Sequence, residues 1–179
     1  AAYRLGSALV QVAPDGKSVK ELWRDPRSLL AHWSTPIHVD GYIYGFSGRH
    51  RNEGELRCIR LSDGKLVWQT AGYDGDIRRF VTNRSTGAIV DKETGEEVPP
   101  PIFGLGSLIR VGDRIVALGE EGTLAIVKLS SKEYIEERRC GFPEISYPAW
   151  TAPVVSRGQM YLRSEDWLLC LTVAKDSRP

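Results

Sequence analysis

The sequence predicts an all-β fold built from repeated sheets of four short antiparallel strands, and three observations predict it. Apolar residues alternate with period two along most of the chain, and no stretch carries a helical stripe of useful length. The run Trp33-Ser34-Thr35-Pro36, followed by Gly41-Tyr42-Ile43-Tyr44, returns as Trp150-Thr151-Ala152-Pro153, followed by Gly158-Gln159-Met160-Tyr161, each matching residue displaced by 117 positions. A middle copy, Gly112-Asp113-Arg114-Ile115-Val116-Ala117, lies between them. Each copy is followed by an apolar strand: Gly54 to Ile59, Gly122 to Val127 and Asp166 to Leu171.

The elements follow in order. Ala8 to Val12 and Val19 to Trp23, joined through Pro14-Asp15-Gly16, read as the last two strands of a partial unit spanning 1–25. The unit at 33–70 holds strands Thr35 to Val39, Tyr42 to Phe46, Glu55 to Leu61 and Lys65 to Gln69, with Gly-containing turns at Asp40-Gly41 and Ser62-Asp63-Gly64. An insertion at 71–103 carries a hairpin turn at Asp91-Lys92-Glu93-Thr94-Gly95, and Pro99-Pro100-Pro101 then stops any ladder. The unit at 104–140 holds Ser107 to Val111, Arg114 to Gly119, Thr123 to Leu129 and Glu133 to Arg138. The last, at 150–175, holds Ala152 to Ser156, Gln159 to Arg163 and Trp167 to Val173.

Spacing names the architecture. Gly122 to Asp166 is 44 residues, Trp23 to Trp68 is 45, and Gly54 to Gly122 stretches to 68 across the insertion. Four strands per period of roughly 40 to 50 residues is the rule of β-propeller blades. The sequence is therefore expected to start mid-blade, to stop after a third strand before the polar tail Ala174 to Pro179, and to form a partial propeller, an arc of a larger ring.

Composition excludes several classes of function. A hydrophobic content of 41% supports a packed core, and a net charge of +1 from residues of both signs gives no field for nucleic acid or an anionic membrane. The short patches Arg49-His50-Arg51, Arg78-Arg79 and Arg138-Arg139 read as solvated surface. No apolar run reaches the roughly 20 residues of a transmembrane helix, and no signal peptide opens the chain. The first residue is Ala, as expected of a processed or excerpted chain. Cys58 and Cys170 share one repeat position, filled by Ile126 in the middle copy, and so read as buried structural thiols. Cys140 lies outside that register and is the remaining candidate for a reactive thiol.

Leu61-Ser62-Asp63-Gly64-Lys65-Leu66-Val67-Trp68 resembles the blade-ending signature of pyrroloquinoline-quinone (PQQ)-like propellers, Ala-x-Asp-x-x-Thr-Gly-x-x-x-Trp. Its turn is shorter and lacks the Thr, whereas Ala88…Asp91-Lys92-Glu93-Thr94-Gly95 has the turn and lacks the Trp. The phrases Trp-Ser/Thr-x-Pro and Gly-x-x-Tyr are similar to the same superfamily, quinoprotein alcohol dehydrogenase-like. The resemblance implies that Trp23 and Trp68 dock between neighbouring blades, and the other recurring tryptophans, Tyr44 and Tyr161 are likewise assigned to packing. It includes bacterial cell-envelope scaffolds and so implies an extracytoplasmic (periplasmic or envelope) site.

Quinoprotein dehydrogenases of this superfamily hold PQQ and calcium in the central funnel. The chain has no adjacent Cys-Cys pair and no assignable Glu…Asn…Asp ligand set, so the first expectation is no cofactor, with PQQ and calcium as the alternative and no cofactor-binding residue assigned. Gly104-Leu105-Gly106-Ser107 enters a strand and reads as a turn. His32, His38 and His50 lack metal or nucleophile spacing, and no Gly-x-Ser-x-Gly occurs. Asn83-Arg84-Ser85 matches a glycosylation sequon, and the adjacent pairs Glu120-Glu121 and Glu136-Glu137 point to opposite sheet faces. No catalytic residue is assigned. The leading expectation is a non-catalytic scaffold that binds a protein, peptide or glycan through the loop His50 to Gly54 and the insertion, where Tyr73, Arg78, Arg79 and Phe80 mix aromatic and Arg character. The alternative is a fragment of a PQQ-dependent quinoprotein dehydrogenase; a hydrolase in the funnel or an accessory propeller of another domain are further readings.

Overall fold

The computed structural model describes residues 5–50, 53–86 and 88–173; Arg51 of the first arginine patch and the tail 174–179 lie outside the described residues. Short antiparallel sheets make up nearly all of the fold, each a meander in which consecutive strands are neighbours. Strands β1 (Ser7–Val12) and β2 (Val19–Asp25) form the N-terminal sheet. β3 (Ile37–Val39), β4 (Tyr42–Ser47), β5 (Glu55–Arg60) and β6 (Leu66–Thr70) form the first four-stranded sheet. The second comprises β10 (Gly106–Val111), β11 (Arg114–Gly119), β12 (Thr123–Lys128) and β13 (Ile135–Gly141), and β14 (Val154–Ser156), β15 (Gln159–Arg163) and β16 (Leu168–Thr172) form the C-terminal sheet.

Turn chemistry sets the registers. Asp40 and Gly41 both have positive φ, 49° and 80°, as do Arg157 and Gly158, 50° and 76°. Two such residues in a row make the two-residue turn whose twist matches that of the flanking strands. The entry strands are shorter than expected: β3 starts after Pro36 and β14 after Pro153. Proline has no N–H to donate to a ladder, so Thr35 and Ala152 stay in the preceding loops. β13 starts at Ile135, not Glu133, because the Ser130 hydroxyl accepts the N–H groups of Lys132 and Glu133 and holds them in a turn. The insertion holds a three-stranded sheet where a hairpin was expected: β7 (Phe80–Thr82), β8 (Ile89–Asp91) and β9 (Glu97–Val98), ending before the proline run.

The second four-stranded sheet is the centre of the structure. Ile115, Ala117, Ala125 and Val127 face the first sheet and pack with Val39, Tyr44, Phe46, Leu56, Cys58 and Trp68. Their neighbours Val116, Leu118 and Leu124 face the C-terminal sheet and pack with Met160, Leu162, Ile145 and Ala149. The period-two alternation of β11 thus fills two cores at once.

Tryptophans tie one sheet to the next. Trp23 Nε1 donates to Leu61 O at 2.7 Å, and Trp68 Nε1 donates to Ser130 O at 2.9 Å, each reaching the turn between the third and fourth strands of the following sheet. Gly64 is required there twice over. Its φ is +69°, and a Cβ would lie 2.7 Å from the Trp23 ring. Opposite Ile126, where these tryptophans stand opposite Leu9 and Cys58, the second sheet has Arg138 instead.

Two sequence readings need correction. Cys58 is buried, and burial pushes its thiol up to about 11, but Cys170 is exposed because among the described residues nothing packs over its face of the C-terminal sheet. Arg139 is no solvated surface residue. Its guanidinium donates to Pro101 O at 2.9 Å, Pro100 O at 3.2 Å and Gly72 O at 3.0 Å, lies 4.9 Å from the Phe103 ring centroid, and pairs with Glu136. It clamps both ends of the insertion to β13.

Candidate functional site: an aromatic cleft at the loop end

In a four-stranded meander the entry to strand one, the link between strands two and three, and the exit of strand four share one end of the sheet. Trp33 precedes β3, and Arg49 and His50 follow β4. Leu105 precedes β10, and Ser146, Tyr147 and Trp150 precede β14; Glu120 and Glu121 were expected on opposite faces of a strand, but they lie in the turn linking β11 to β12, where strand alternation does not apply. All of these therefore converge at the same end. They form a cleft of about 710 Å³ lined by Trp33, Arg49, His50, Leu105, Glu120, Glu121, Ser146 and Tyr147. The size suits a small ligand or a short polymer segment.

The floor is Glu120, only 1% exposed. A buried carboxyl is costly unless hydrogen-bonded. Here one oxygen accepts Leu105 N–H at 3.1 Å and the other accepts Trp150 Nε1–H at 3.1 Å, while Glu120 N–H donates to Leu105 O at 2.7 Å. The Ser107 hydroxyl donates to Trp150 O at 2.7 Å. Trp150 is thus held at ring and backbone, yet is 44% exposed. Trp33 packs on it at 4.9 Å with the planes tilted by 41°, and Tyr147 meets its edge at 5.8 Å. Trp33 is 36% exposed and Tyr147 59%. Trp33 and Trp150 pack on each other, as expected of the recurring tryptophans, but both keep more than a third of their surface exposed. They sit ahead of the prolines that delay β3 and β14, in loops and not in the ladders. That position was the available signal. Nothing in the sequence marked Glu120 as their support.

The insertion leaves β6 and enters β10 at this same end, and it carries the four candidate contact residues. Asp76 caps a short 3-10 turn, Ile77–Arg79, and pairs with Arg78 at 2.9 Å. Arg79 forks onto Asp91, with Nε to Oδ1 at 2.7 Å, and reaches Glu93 at 2.7 Å. That fork holds the Asp91 carboxyl below the usual carboxylate range. Tyr73 and Phe80 pack edge to face at 4.9 Å, and the Arg79 guanidinium sits 5.8 Å from the Phe80 ring. Tyr73, Arg78 and Arg79 line a second pocket of about 420 Å³ with Asp76, Lys92 and Glu93. Arg79 and Phe80 are occupied in holding the insertion together. Arg78, with a side chain 86% exposed, is the one that reaches outward.

His38 Nε2 accepts Gly41 N–H at 3.3 Å, a turn role. Burial raises the Cys140 thiol, the opposite of what a reactive cysteine needs. Among the described residues no helix is long and apolar enough to cross a membrane.

No protein-family model and no curated protein matches the sequence. Solved structures similar to it include the computationally designed Ika8 protein, at 14% identity and a TM-score of 0.38 over 93% of this chain. They also include the computationally designed Ika4 protein, at 14% identity and 0.36 over 87% of this chain and 99% of that one. BamB from Moraxella catarrhalis is similar at 17% identity and 0.29 over 76% of this chain. The chain spans 55% of the length of Ika8 and 41% of that of BamB. At such scores the likeness adds nothing to the fold read from strand order.

Proposed function

We propose that this chain is a non-catalytic, propeller-like scaffold that binds a partner at the loop end of its sheets. One observation carries the reading: Trp33, Trp150 and Tyr147 are exposed and in ring contact, while a buried carboxyl holds the Trp150 ring and a serine hydroxyl holds its backbone carbonyl. Large exposed aromatics held rigid in a cleft favour binding, because no entropy of ordering them is lost on contact. Tyr73 and Arg78 flank the site from the insertion and would contact a large partner.

A fragment of a quinoprotein dehydrogenase is the second reading. Each oxygen of the buried Glu120 carboxyl is engaged by an N–H donor, which favours the first reading.

The test is retention. Immobilised wild type and the Trp33→Ala/Trp150→Ala double variant are exposed to an extract of the source cells, and bound proteins and glycans are identified by mass spectrometry. Loss of a specific partner in the double variant, with unchanged circular dichroism, is expected. Equal retention by both would sink the proposal.

A further inference from the structure

We propose that this chain assembles head to tail with a second copy of itself, the outer face of the C-terminal sheet of one copy packing on the outer face of the N-terminal sheet of the other. Both faces occur a second time inside the chain, and there they are packed against each other. Toward the first four-stranded sheet, β12, β13 and the residues at their ends present Ala125, Val127 and Leu129 with Tyr134, Glu136 and Arg139. The N-terminal sheet carries Ala8, Val10 and Val12, each 117 positions earlier, and Val19, Glu21 and Arg24, each 115 positions earlier.

The match is one of register as well as residue type. Ala8 stands opposite Arg24 and, after a register shift, Val10 stands opposite Glu21; Ala125 stands opposite Arg139 and, after the same shift, Val127 stands opposite Glu136. Glu21 pairs with Arg24 as Glu136 pairs with Arg139. Ala125 and Val127 are fully buried, whereas Val10, Val12 and Val19 are exposed.

The C-terminal sheet repeats the other half of that interface. Tyr161 stands opposite Cys170 and Arg163 opposite Leu168, as Tyr44 stands opposite Cys58 and Phe46 opposite Leu56. Tyr44, Leu56 and Cys58 are buried in one cluster with Ala125 and Val127, whereas Leu168 is 68% exposed and Cys170 is exposed. Arg163 departs from Phe46, whose ring packs on Phe103 ahead of β10. The N-terminal sheet has counterparts of the third and fourth strands alone, so Arg163 falls beyond the contact and stays in water. One half of an interface that the chain already makes is thus open at each outer sheet, and a second copy supplies the complement, with apolar burial as the driving force. Because the halves differ, two copies close only with the C-terminal face of each on the N-terminal face of the other.

Sedimentation velocity of this chain at rising concentration is the test, and a reversible passage from one chain to two is expected. Iodoacetamide labelling of Cys170 slows over the same range. Val10→Glu and Leu168→Glu each bury an unpaired carboxylate in one half, and each weakens association by at least about a hundredfold. Mixed in equal amounts, the two variants associate at least about tenfold more tightly than either alone, because one keeps an intact C-terminal face and the other an intact N-terminal face. Ile77→Glu, on the insertion, changes nothing. Val12→Glu and Cys170→Glu stand in where a first variant fails to fold by circular dichroism. A single chain at every concentration overturns the proposal and leaves the two faces to a different partner. Association that survives both variants also overturns it, and so does association that persists in one variant alone, since that is the mark of a contact between like faces.

Discussion

Two pairs of tryptophans repeat along this chain, and the structure gives them opposite placements. Trp23 and Trp68 stand in the outermost strands, turn their indole N–H groups onto the carbonyls of the next sheet's turn, and bridge sheet to sheet. Trp33 and Trp150 stand in loops, each four residues before the strand that follows it, touch each other, and remain more than a third exposed. Recurrence at a fixed interval therefore does not distinguish a packing residue from a surface one. Position relative to the ladder does, since a strand residue is committed to a face of the sheet while a loop residue is placed by its own contacts.

The comparison can be broken by substitution. Trp68→Ala, which opens a cavity between the two four-stranded sheets and strands the Ser130 carbonyl, should cost about 3 to 5 kcal/mol in a denaturant titration. A cost under about 1 kcal/mol would mean that Trp68 is no anchor. Glu120→Ala leaves Leu105 N–H and Trp150 Nε1–H without their acceptor, for about 1 to 3 kcal/mol. It should also lower the fluorescence anisotropy of Trp150, and an unchanged anisotropy would show that the ring is held by something else. Trp23→Phe keeps most of the packing and removes one hydrogen bond, for about 0.5 to 1.5 kcal/mol by the same titration. Trp33→Ala should leave stability within about 0.5 kcal/mol of wild type, because the ring is exposed on a loop. A larger loss would place Trp33 with the anchors and remove the contrast.

Much of the fold was legible. Arg114 to Gly119 and Gln159 to Arg163 are strands with the ends that alternation and turn glycines set. Asp40-Gly41 could be read as a tight turn because only a few residue types tolerate two consecutive positive φ values. The first strands were read too long because Pro36 and Pro153 were treated as strand members and not as ladder stops. The extra strand of the insertion could not be seen, since Phe80-Val81-Thr82 is too short for alternation to register. The cleft was legible only in part. His50 was singled out by its loop, but Glu120 and Trp150 meet across 30 residues, and only the packing of two sheets brings them together. Arg139 was misread for the same reason: its partners Gly72 and Pro100 lie 67 and 39 residues away.

That arginine gives the insertion a closed neck. Gly72 and Pro100 mark where the chain leaves and rejoins the body, and one guanidinium ties both to β13, so the 27 residues at 73–99 form a loop whose ends are fixed whatever lies between them. Lengthening such a loop costs little, about 0.6 kcal/mol per doubling. The segment is therefore a place where sequence can be exchanged wholesale, a natural graft point for foreign peptides or reporter domains, and one where divergence can proceed without disturbing the sheets beneath.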